Sequence, residues 1–348
     1  MDPTQDDSEE YNPLDLYDLH EVKTPRALLW AALVHCYSVA ILGTIGNALA
    51  LWCVETCTKT RRPVKVLLFG VFVPSLVICL VTRPVDGEEL LSNIKHQPHR
   101  VSKLVSNINT VVYSILAQTE LASMTAVATV RALSVWAPQR PRLGLRGAAV
   151  LVFALFMYST FTGLGLVGLM LLGELNKPWA VTLVSALYFI NTTMPALITG
   201  GAYILIIYAI HRNKRRLAAR QHHPQGATSM DQATKAILAV FISNLIFGLP
   251  HSIYHLMVRQ PYYMHVIFHV IFSTHFVVDP LAFVWLNTGY RRHFFSSVKN
   301  VTKNISHPTS SFHKAGSASR SDHHHLQLST HKQESLGTSH HAAETIET

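Results

Sequence analysis

Charged side chains are scarce in this sequence. Asp, Glu, Lys and Arg make up 14% of its 348 residues, against about 25% in soluble globular domains. The deficit argues against an ordinary soluble enzyme, and a hydrophobic fraction of 49% excludes a disordered chain. Cysteine is nearly absent as well. Cys36, Cys53, Cys57 and Cys79 lie in or beside the first two apolar segments and show neither zinc-ligand spacing nor a disulfide framework, which leaves buried structural thiols. No basic stretch precedes the first apolar run, so a cleavable leader is not expected. No HxxxD, HExxH or GxSxG constellation stands in a setting that supports membrane-enzyme chemistry, and no enzymatic activity is expected.

What the sequence does have is apolar length. A bilayer core ~30 Å thick needs about 20 mostly apolar residues in a helix. Seven segments meet or approach that length: 27–54, 64–82, 101–131, 147–172, 179–210, 233–258 and 262–287. The expected fold is an all-α membrane protein, a seven-transmembrane-helix bundle over 27–287. Lys and Arg near the span ends divide unevenly. Eighteen fall within 59–65, 131–146, 212–235 and 291–303, against eight on the other side, Arg83 among them. The basic side is expected to face the cytoplasm, which places the amino terminus outside in a multi-pass protein of the plasma membrane. The net charge of +9 is then topology, and no nucleic-acid partner is needed to explain it.

The flanks differ from the spans. Residues 1–26 hold eight acids against Lys23 and Arg26, an acidic extracellular terminus. Residues 289–299 set Tyr290, Phe294 and Phe295 among Arg291, Arg292 and Lys299, the pattern of a short amphipathic eighth helix on the inner leaflet. Residues 300–348 contain fifteen Ser or Thr and eight His and read as a disordered cytoplasmic tail.

The spans also carry an ordered set of marks. Gly46 and Asn47 stand in the first, and Arg131 ends the third within TVRALSVWAP. Pro195 and Tyr203 lie eight apart in the fifth. FGLP occupies 247–250 in the sixth, and DPLAF occupies 279–283 in the seventh, just before the amphipathic segment. In order and spacing these resemble the rhodopsin-like (class A) G-protein-coupled receptors over roughly 27–299. The resemblance implies coupling to a heterotrimeric G protein through Arg131, Tyr203, Asp279, Pro280 and Phe283, aided by the 211–235 loop. It also implies a tail that serves receptor kinases and arrestin. A positive-inside anchor is the plainer role for Arg131. The departures are specific. Val130 replaces the acid before the arginine, Gly248 the sixth-helix Trp and Phe283 the seventh-helix Tyr, and no cysteine is placed for the family's extracellular disulfide. Loss of that acid implies raised constitutive activity.

Glu120 and Asp279 are acids inside spans, where a charge is costly and functional by default. Counting from Asn47, Ser75 takes the position of the family's sodium-binding Asp. Glu120, Ser75 and Asp279 are expected to share a polar pocket for a sodium ion, a proton or water; the alternative is a protonated Glu120 hydrogen-bonded to a neighbouring helix. Apart from that sodium ion or proton, no cofactor is expected. Near the other end of the bundle His251 and His255 are four apart, as are His265 and His269. With Tyr113 they form a candidate ligand pocket, and zinc or proton sensing is the alternative to polar lining. Tyr113 stands where aminergic receptors have an Asp, which disfavours an amine. Tyr11 and Tyr17 among carboxylates are similar to the sulfated amino termini of chemokine receptors and could steer a basic protein ligand; a plain solvated segment is the alternative. The second span VLLFGVFVPSL and the seventh-span Asp-Pro are weakly similar to prostanoid receptors, which adds a lipid ligand. Competing classes are a non-signalling decoy or heterodimer partner and a seven-helix proton or cation transporter.

Overall fold

The computed structural model describes residues 24–58, 60–97, 100–137, 143–171, 177–218, 232–256, 261–292, 294–296 and 299. Of these, 92% are helical and none lies in a strand. Seven helices are long and apolar enough to cross a membrane, and the all-α seven-helix fold expected from the apolar spans is the one observed. We label them α1 (Arg26–Thr56), α2 (Arg62–Lys95), α3 (Lys103–Trp136), α4 (Leu145–Leu171), α5 (from Pro178–Tyr188 to Met194–Ala218), α6 (Gln232–Leu256) and α7 (Tyr262–Ser273 and His275–Leu286). Tyr11, Tyr17, the acidic terminus, most of the 211–235 loop and the 300–348 tail lie outside the described residues.

α3 is the central pillar, in contact with α2, α4, α5 and α6, while α1 closes against α2 and α7. Its outward neighbours leave apolar side chains bare, as a lipid-facing surface requires: Val34, Ile41, Val150, Phe161 and Ile204 are all exposed. All five tryptophans are exposed and near helix ends, where amphipathic rings anchor at the interface.

Close approach between helices rests on a few small residues. A Cβ on Gly43 would meet Cys79 Sγ at 2.5 Å, and one on Gly70 would meet Ser123 Oγ at 2.8 Å. Proline sets the other joints. Pro280 has no N–H to give Phe276 O, four residues earlier. That orphaned carbonyl instead accepts from Asn47 Nδ2 at 3.0 Å, tying α7 to α1. The Gly46–Asn47 pair is therefore a packing device: the glycine admits the Pro280 ring, and the asparagine satisfies what the proline leaves open.

α2 departs from its expected end at Thr82. After Pro74 it widens into a π-turn at Ile78–Thr82 and continues as Arg83–Lys95. One π-turn inserts an extra residue and rotates everything beyond it by about 100°. Arg83, counted above as an end-flanking charge, therefore faces inward and is 7% exposed. With it removed from the tally, seven Lys or Arg remain on that side, and the charge bias becomes stronger. The helix closes at His96, whose left-handed φ of 52° is the usual helix-terminating turn.

After α7, Asn287 Oδ1 accepts the backbone N–H groups of Gly289 and Tyr290 and caps a further helical stretch. Tyr290 is not a surface residue of that stretch. It is buried beside Phe283 and hydrogen-bonded to Thr60 Oγ1 at 2.9 Å, whereas Phe295 is exposed.

Candidate functional site

Polar groups inside an apolar bundle occur in three layers along α3, and a fourth group sits at the mouth between α6 and α7. Nearest the α2–α3 turn, Arg83 Nη2 pairs with Asp86 Oδ2 at 3.0 Å. Asn109 Nδ2 of α3 donates to the same carboxylate. The guanidinium lies over the Tyr113 ring, 4.8 Å from its centroid, a cation–π contact strengthened by desolvation. The Tyr113 hydroxyl is buried with no hydrogen-bond partner among the described residues.

About two turns beyond Tyr113 along α3, Glu120, His275 and Asp279 bring their ligand atoms within 4.8 Å of one another, all three buried. His275 Nε2 lies 3.8 Å from Glu120 Oε1, its Nδ1 donates to Phe272 O, and Asn244 Nδ2 of α6 donates to Asp279 Oδ2. Three helices thus meet at two carboxylates, an imidazole and an amide. The imidazole turns its Nε2 toward the acids, so the group can hold a shared proton without importing a metal ion.

Beyond it the interior turns apolar. Leu68, Val71, Phe72, Met124, Val127, Ile237, Val240 and Phe283 line a small void with no polar atom, and the Phe72 and Phe283 rings pack at 4.8 Å. Past this layer come Arg131 and Tyr203. Arg131 is half-buried; the Tyr203 ring is buried and stacks on Phe241 at 5.1 Å. Eleven residues separate Glu120 from Arg131, a rise of about 16 Å.

At the mouth, His251 and His255 of α6 meet His269 of α7. The Nε2 of His251 is 3.1 Å from that of His255 and 3.4 Å from that of His269. Tyr188 OH reaches His251 Nδ1 at 3.3 Å, and Phe272 stacks on the His251 ring at 4.2 Å.

Several expected sets are regrouped by the structure. Glu120 and Asp279 come together, but Ser75 does not join them: it is buried and its hydroxyl donates to Val71 O of its own helix, the usual fate of an intrahelical serine in an apolar span. Tyr113 is not among the histidines. It packs with the Val39, Ile78, Cys79 and Phe276 cluster under Arg83, and Phe272 is the residue in contact with both groups. His265 stacks on His269 at 3.8 Å but contributes its backbone carbonyl to the trio, not its ring. Pro280 and Phe283 are packing residues at Gly46 and Phe72. The four cysteines are free thiols, three of them buried. Sequence reasoning missed His275, Arg83, Asp86 and Asn244. The i, i+4 pair His275–Asp279 and the i, i+3 pair Arg83–Asp86 were the available signals.

No family model matches this chain, and no curated protein matches it.

Proposed function

We propose that this protein is a divergent rhodopsin-like receptor of the plasma membrane, with its amino terminus outside. It couples its α6–α7 mouth, or its own basal activity, to a heterotrimeric G protein at the Arg131 end. The observation that carries this reading is the apolar layer. Polar groups run from the mouth to Glu120 and Asp279, stop at eight apolar side chains, and resume at Arg131. A signal crossing that layer travels as helix movement, which is how a receptor works. An ion or proton crossing it would leave carboxylates and imidazole for apolar side chains.

Arg131 supplies a planar multi-donor head for backbone carbonyls of an inserted transducer helix, and the Tyr203 hydroxyl supports it. The Ser/Thr-rich tail supplies sites for receptor kinases and arrestin. At Glu120 the bound species is a proton, with His275 taking the place that sodium has in other receptors. The second reading, a proton or cation transporter, draws on the same acidic group and is opposed by the same layer.

The deciding experiment is expression with a panel of G-protein activation sensors, without added ligand, alongside Arg131→Ala at equal surface level. Basal signal in the parent that is lost in the variant supports receptor function. Silence across the panel in both overturns the basal-activity reading and shifts weight to a decoy or transporter.

A further inference from the structure

We propose that His251, His255 and His269 form a zinc site that clasps α6 to α7. His251 and His255 are one helical turn apart, so they share a face; His269 reaches them from the neighbouring helix. A tetrahedral zinc ion with Zn–N bonds of about 2.0–2.1 Å holds its nitrogens about 3.3–3.4 Å apart. The two measured separations, 3.1 and 3.4 Å, bracket that spacing, and all three ligand nitrogens lie within 4.8 Å of one another.

The outer nitrogens are arranged to match. His269 Nδ1 donates to His265 O at 2.8 Å, which leaves the Nε2 lone pair directed at the trio. Tyr188 OH, 3.3 Å from His251 Nδ1, can accept a hydrogen bond from Nδ1–H in the tautomer that puts the His251 lone pair on Nε2. Metal-bound histidines are held by partners of this kind. Without a cation, the neutral trio can at best share one N–H between two acceptors, whereas one metal ion satisfies all three rings. The donor set is imidazole alone, with no carboxylate, which suits zinc and excludes calcium and magnesium. His255 is exposed, so the ion has access from the mouth and a fourth position for water. The site does not depend on the signalling proposal.

The test is thermal unfolding of the purified full chain in detergent with and without zinc chloride. Magnesium chloride is the control, and the parent and all variants carry the same tail histidines, so any zinc effect of the tail is common to them. Zinc is expected to raise the parent midpoint, with half-maximal effect at a concentration lower by at least about tenfold than for His255→Ala or His269→Ala. His255 is exposed, so its substitution leaves folding intact, and His255→Cys, which keeps a zinc ligand, restores the shift. His265→Ala retains the carbonyl that orients His269 and melts like the parent. Equal zinc shifts in the parent, His255→Ala and His269→Ala, or an equal response to magnesium, overturn the proposal.

Discussion

Asn47 offers a sharp test of how this bundle is held together. Its amide is fully buried and donates to Gly43 O at 2.8 Å and to Phe276 O at 3.0 Å. Gly43 O keeps its ordinary helical partner without it. Phe276 O does not, because the residue that would donate is Pro280. Stranding a buried carbonyl costs about 1–3 kcal/mol, while side-chain hydrogen bonds between membrane helices average about 0.6 kcal/mol with a ceiling near ~1.7. Asn47 Oδ1 is itself buried without a partner, and its removal offsets part of the loss. Asn47→Ala should therefore destabilise by about 1–2 kcal/mol. The mechanism, and not merely the size, is tested by Pro280→Ala, which supplies the missing N–H. In that background Asn47→Ala should cost less than half as much, a coupling of about 1 kcal/mol. Reversible unfolding in bicelles of the parent, both single variants and the double variant measures the cycle. If the Asn47→Ala cost is the same with and without Pro280, the orphaned carbonyl is not what Asn47 serves.

Gly43→Ala forces a Cβ into Cys79 Sγ and should cost about 1–3 kcal/mol in midpoint-derived stability, most of it recovered in Gly43→Ala/Cys79→Ala; no recovery would place the strain elsewhere. Arg83→Gln removes the buried cation from a pair whose Asp86 side chain is partly exposed and keeps its Asn109 bond, so the cost should fall to about 1–3 kcal/mol, below the about 3–5 kcal/mol of a fully buried pair broken from one side; Arg83→Gln/Asp86→Asn should melt above Arg83→Gln alone. If His275 fills the cation position beside Glu120, exchanging sodium chloride for choline chloride at constant ionic strength should leave the melting midpoint unchanged, and a sodium-specific rise would refute that. Burial holds the Tyr290 phenol above its ordinary value near ~10. The stability this gives is intact below pH ~10 and is lost as pH rises through the raised value. Tyr290→Phe should flatten that alkaline loss while costing about 0.5–1.5 kcal/mol at neutral pH through the missing Thr60 bond.

Bundle architecture was readable because span length is fixed by the bilayer and needs no tertiary knowledge. Pairings between helices were readable only where the helical period stays regular. Glu120 and Asp279 could be placed together because α3 runs unbroken to Arg131 and the Asp-Pro marks its own depth in α7. Arg83 could not, since the π-turn at Ile78–Thr82 shifts the phase of everything after it, and a charge following an apolar run looks like the end of a span. Ser75 failed for a different reason. Its depth was counted, but a lone hydroxyl in a dry helix bonds to its own backbone, and no count reveals that. His275 was overlooked although its four-residue spacing from Asp279 is plain in the sequence.

The apolar layer also separates the polar groups at the two ends of the bundle. Moving an uncompensated charge to the middle of a membrane costs between about 3 kcal/mol and on the order of 10 kcal/mol. An uncompensated charge is therefore held to one side or the other of the eight apolar side chains. Replacements among Leu68, Val71, Met124, Val127, Ile237 and Val240 that preserve volume cost little, so the layer constrains sequence only loosely. The joints are less tolerant: Gly43 against Cys79, Gly46 against Pro280, and Asn47 on the carbonyl that Pro280 orphans. These few contacts hold α1, α2 and α7 together. On the proposed reading, motion would pass through the layer along α6 and α7. Both carry a proline near their polar groups, Pro250 beside the histidines and Pro280 beside Asp279. A hinge next to each polar cluster lets a change in bonding there tilt the helix as a rigid lever, which needs no polar path across the apolar interval.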